Sequence, residues 1–116
     1  MEEATNALIY GTMAALPANQ ILTINAKIAT PVTITPVGTT GAQTINKPCG
    51  RVNIAAAGTS VVVTNSLVTA DSIVLAVAAT NDTTARVISV VPAAGSFTIR
   101  TPACTAETAF NWFVLN

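Results

Sequence analysis

Catalysis near neutral pH needs side chains that titrate or attack there, and this sequence offers few. It contains no histidine, so neither a Ser-His nor a Cys-His couple can form. Its carboxylates are Glu2, Glu3, Asp71, Asp82 and Glu107. Asp71 and Asp82 fall in turns at opposite ends of one expected strand, a poor spacing for an acid and a base serving one bond. Cys49 and Cys104 lie far apart and in no metal-ligand spacing. Two small thiols, buried or half-buried and not bonded to each other, are expected. Gly38-Thr39-Thr40-Gly41 lacks the following Lys and helix of a phosphate-cradling loop. Asn81-Asp82-Thr83 matches a glycosylation sequon, but no secretion signal accompanies it. The sequence therefore predicts no enzyme, no cofactor and no metal site. What remains for recognition is surface, including the polar stretches Asn65-Ser66, Asp71, 81–84 and Glu107 at strand ends.

The elements that would carry such a surface come from an unusual composition. Apolar residues make up 51% of the 116 positions, charged residues only 9%, and the formal net charge is zero. That balance is the reverse of a disordered chain. An ordinary soluble domain carries about 25% Asp, Glu, Lys and Arg. A surface so poor in charge tolerates being covered by another protein, because few ions need desolvating. Self-association is therefore expected. The basic residues Lys27, Lys47, Arg51, Arg86 and Arg100 are scattered, whereas nucleic-acid binding needs a clustered basic face. No apolar run approaches the roughly 18–20 residues of a spanning helix; the longest is 73–79. The start, Met1-Glu2-Glu3, has no basic flank before a long apolar stretch. Neither nucleic acid nor membrane is an expected partner, and synthesis in the cytosol is expected.

Residues 1–20 show no alternation and read as an extended arm. Leu8, Met13 and Leu16 fall loosely on one side of a short helical turn, which Gly11 weakens and Pro17 ends. An extended arm of twenty residues reaches about 66–70 Å, far enough to touch a neighbouring subunit. From Ile21 onward the chain divides into short strands separated by Gly, Pro, Asn and Thr clusters, over 21–28, 31–36, 42–46, 51–55, 59–64, 72–79, 85–91, 96–100 and 110–115. The strand between Pro31 and Pro36 suits an edge. The run 72–79 is nearly all apolar, as in a strand covered on both faces. In the last strand Phe110, Trp112 and Val114 point one way and Phe113 and Leu115 the other. No ten-residue helical pattern interrupts the series. The expected fold is all-β: an antiparallel, jelly-roll-like sandwich of about eight short strands over 21–116, preceded by the arm.

The run Thr44-Ile45-Asn46-Lys47-Pro48-Cys49-Gly50-Arg51-Val52-Asn53-Ile54 resembles a T-I-N-K-P-C-G-x-V/I-x-I/M segment of small structural proteins of tailed bacteriophages. The likeness continues through 59–66, 71–75, 92–99 and 110–114, so that it covers about residues 41–116. The same module looks like one used in short capsid-associated proteins and at the C-terminal ends of longer tail fibres. A free-standing module behind a short arm is more similar to a capsid decoration, or cement, protein. The resemblance implies a location on the capsid surface of the virion, a homo-oligomer, expected as a trimer, and the major capsid protein as partner. The arm residues Leu8, Ile9, Tyr10, Met13 and Leu16, with Phe113 and Leu115 of the last strand, are the expected interface. The alternative is a tail-fibre or head-fibre tip that binds a host receptor or glycan.

Overall fold

A computed structural model describes residues 9–12 and 21–116. It contains ten strands: β1 (Ile9–Thr12), β2 (Ile21–Ile24), β3 (Val32–Ile34), β4 (Gln43–Thr44), β5 (Cys49–Ile54), β6 (Ser60–Thr64), β7 (Ile73–Ala78), β8 (Ser89–Ala93), β9 (Ser96–Arg100) and β10 (Thr108–Leu115). Eight of them form two four-stranded sheets, ordered β3-β5-β10-β7 and β4-β6-β9-β8, which pack into a sandwich. The all-β class is as the punctuation of the sequence predicts, and the described residues contain no helix. Of the expected interface residues, Ile9 and Tyr10 lie on β1, while Leu8, Met13 and Leu16 lie outside the described residues.

Two features depart from the expectation. β3 runs parallel to β5, and β4 parallel to β6, so the sheets are not antiparallel throughout in the jelly-roll manner. The cause is the chain path. From β3 to β8 each strand lies in the sheet opposite its predecessor, and β8–β9 is the one direct hairpin within the sandwich. Second, Ile21–Ile24 joins neither sheet. It pairs antiparallel with Ile9–Thr12, Ile9 facing Ile24 and Thr12 facing Ile21. Ile9–Thr12 is thus strand rather than helical turn, consistent with the poor helix propensity of β-branched and glycine residues.

Strand alternation places the core. β10 is buried at Thr108, Phe110, Trp112 and Val114 and more open at the positions between. Val52 and Ile54, Val61 and Val63, and Phe97 and Ile99 do the same from β5, β6 and β9. The Phe97 and Trp112 rings meet edge to face across the sheets at 4.9 Å and 67°, the geometry that ring quadrupoles favour. Gly50 stands opposite Trp112 in the β5–β10 register. A Cβ there would come within 2.7 Å of Trp112 Cζ2 and 2.9 Å of the Thr33 carbonyl. This glycine is therefore the space in which the indole lies.

Buried amides tie the turns. The Asn53 Nδ2 donates to the carbonyls of Pro36 (2.9 Å) and Thr39 (3.1 Å), and Asn65 Nδ2 donates to the Lys47 carbonyl at 2.8 Å. Asn46 Oδ1 accepts from the Ser66 amide at 2.9 Å. Glu107 accepts the Gly38 amide with both carboxylate oxygens, at 2.9 and 3.1 Å. Several residues of the segment 44–54 are thus core residues or turn ties.

Candidate interaction surface

The side chains that could titrate are dispersed over this frame. Among the described residues no three His, Cys, Asp or Glu side chains gather. Asp82, in the β7–β8 connection, is committed to structure. It accepts from the Thr84 hydroxyl at 2.7 Å and amide at 2.9 Å, from the Thr105 amide at 2.8 Å and from the Thr108 hydroxyl at 3.1 Å. The bonds from Thr84, foremost, and from Thr105 hold its carboxyl well below the usual carboxylate range, against desolvation, which raises it. Asp71 and Asp82 lie beyond opposite ends of β7, as the sequence predicts. Cys49 is half-buried and Cys104 buried, and neither is in a disulfide.

What the fold does assemble is an apolar face. In an antiparallel or parallel ladder, residues in register share a side of the sheet. The register across the first sheet aligns Val32, Cys49, Phe113 and Leu75 in one row, and Ile34, Arg51, Asn111 and Val77 in the next. Leu115 and Ile73 form a third. All lie opposite the core side. Seven of these are large apolar side chains, each between 42% and 61% exposed. At roughly 90 Å² apiece they present on the order of 600 Å², the top of the range for the largest patch on an ordinary monomer and not far from the ~800 Å² per partner of a standard interface. Arg51 is the one charged residue in the rows, and its Nε donates to Asn111 Oδ1 at 2.7 Å. A shallow hollow of about 260 Å³ opens on this face among Cys49, Leu75, Val77, Asn111 and Phe113.

Phe113 and Leu115, expected at an interface, are thus both on this face. Sequence reasoning missed Val32, Ile34, Ile73, Leu75 and Val77. The run 72–79 does contain the signal, since Ile73, Leu75 and Val77 occupy alternate positions. The uninterrupted apolar run predicts a strand covered on both faces, whereas β7 lies at a sheet edge with its outer face bare. The hairpin adds a second apolar element, for Ile21, Leu22 and Ile24 of β2 are all exposed.

The chain matches no protein-family model, no curated protein and no solved structure.

Proposed function

We propose that this protein is a non-enzymatic structural subunit of a tailed-phage virion, a decoration protein that binds the outside of the head as an oligomer and stabilises it by bridging capsid subunits. The observation that carries the assembly role is the apolar outer face of the first sheet, crossed by three register rows with one cation. Left in water, such a face costs roughly 25 cal/mol for each Å² of apolar surface not buried; covering it by protein recovers that free energy. The low charge of the chain lowers the desolvation cost of the same step. The virion setting rests on the likeness of residues 41–116 to small phage structural proteins. Repetition over a symmetric shell multiplies contacts that are individually weak, through effective concentration.

The test is to add the purified protein to heads stripped of it. Saturable binding at many sites per particle and a higher temperature of head rupture are expected. Equal fragility with and without the protein ends the cementing role. Density at the tail in electron micrographs would instead favour the fibre-tip alternative, which binds a host receptor or glycan.

A further inference from the structure

The open edge of the first sheet points to how copies of this chain join. β7 is the outermost strand there. Just beyond its end the Ala79 amide donates to the Ala109 carbonyl at 2.7 Å, and these two residues continue the register that pairs Ala78 with Phe110. Hydrogen-bonded and non-hydrogen-bonded pairs alternate along an antiparallel ladder. Val77, Leu75 and Ile73 therefore exchange bonds with Asn111, Phe113 and Leu115. The amides and carbonyls of Val74, Ala76 and Ala78 turn the other way, along the free edge, and have no backbone partner among the described residues.

Natural sheets protect such edges with shortness, proline, charge or a bulge. Three of the four edges here follow that rule. β3 has three residues between Pro31 and Pro36, β4 has two, and β8 carries Pro92. β7 is the exception. It has six residues, no proline and no charge, and its ladder with β10 is unbroken over six pairs.

We propose that β7 pairs antiparallel with β7 of a second copy, joining two first sheets into one eight-stranded sheet about a two-fold axis. The strand is self-complementary around Ala76. With Ala76 opposite its own equivalent, Val74 faces Ala78 on both sides of the axis, and all the outward amides and carbonyls of the three residues find partners. On the outer face the same alignment sets Leu75 beside Val77 of the other copy, so the apolar rows run on across the joint without interruption. β7 carries no charge and the chain no net charge, so no charge within the paired strands repels the second copy. The contact is isologous and closes on itself. It builds dimers, in place of the trimer that the phage resemblance implies. The inference rests on the reading of the protein as a self-assembling subunit, and it names the partner at that subunit's edge.

Amide hydrogen exchange on the unsubstituted protein over a dilution series, alongside sedimentation, is the test. The amides of Val74, Ala76 and Ala78 should exchange at least tenfold more slowly in the associated state than in the dilute one, with a dimer as the first species. Ala76→Pro removes a donor that the internal ladder does not use, and Val77→Lys adds a charge beside the joint. Each should leave a folded monomer at concentrations where the parent is dimeric. Free exchange at these three amides in associated protein overturns the proposal. So does a monomer at every concentration, or a trimer with no even-numbered species. The two readings separate cleanly: a monomeric Ala76→Pro that still coats heads leaves the shell role standing, and a dimer that ignores heads removes the shell role and keeps the pairing.

Discussion

On the first sheet the outward positions of β7 and β10 are Ile73, Leu75, Val77, Ala109, Asn111, Phe113 and Leu115. On the second, those of β6 and β9 are Ser60, Val62, Thr64, Ser96, Thr98 and Arg100. Both sheets send alternate residues into the same core, and both leave alternate residues outside. The second sheet does what a sheet facing water usually does, with short hydroxyl side chains that hydrate cheaply and keep β propensity. The first sheet repeats its interior chemistry on its exterior. Folding requires only one apolar face per sheet, so folding alone does not account for the second.

The largest effect expected from breaking this asymmetry comes from charging the apolar face. Leu75→Lys combined with Phe113→Lys places two cations where a partner must seat, and each replaced side chain forfeits about 1–2 kcal/mol of burial before the desolvation of its charge is counted. Self-association or head binding should weaken by a factor of 100 or more, measured by sedimentation and by a head-binding isotherm. Both positions are exposed, so the melting temperature should move little. Unchanged assembly would show that this face is not the one used.

Gly50→Ala sharpens the comparison from the inner side of the same sheet. Its methyl would press on the Trp112 ring and the Thr33 carbonyl, and overpacking of this kind costs about 1–3 kcal/mol. Denaturant unfolding should show that loss, while the outer rows keep their residues. A neutral result would mean that Trp112 can withdraw without disturbing β10.

Asp82 tests whether both faces hang on one frame, because its carboxylate ties the β7–β8 connection to the loop before β10. A carboxyl held below its unfolded value of about 3.9 adds stability that is present above that pH. This stability is lost progressively as pH falls below it, toward the depressed folded value. Asp82→Asn should lower stability at pH 7 and flatten its decline below about pH 4, read from melting curves across that range. An acid limb identical to the parent's would remove Asp82 from this role.

The smallest effect belongs to the second sheet. Val62→Lys and Val91→Lys charge exposed outward positions there, and should change stability by no more than about 0.5 kcal/mol with no change in association. If they disrupt assembly as strongly as the pair on the first sheet, the two faces are not functionally distinct.

Most of the strands were legible because their signals are local. Pro31 and Pro36 bracket β3, Gly58 precedes β6, and Gly95 turns the chain into β9, whereas Pro92, which predicts the end of a strand over 85–91, lies inside β8 at a sheet edge. The alternation of Phe110, Trp112 and Val114 against Phe113 and Leu115 was equally local, and β10 is arranged that way. Other features depend on partners distant in sequence. Asn53 and Asn65 look like ordinary strand and turn residues until their amides meet carbonyls 14 to 18 residues away. Ile21–Ile24 alternates well enough for a sandwich strand, yet its partner is Ile9–Thr12.

Period two, turn residues and a scarcity of charge are written in the sequence, and they are enough to specify short strands, a two-sheet sandwich and a surface with few ions. Strand order is not written there in the same way. Tertiary pairing put β10 between β5 and β7, put β7 at an edge, and brought Val32, Cys49, Phe113 and Leu75 into one row. The reason is physical: alternation fixes that a strand has two sides, while long-range hydrogen-bond partners decide which side is covered and which edge stays open.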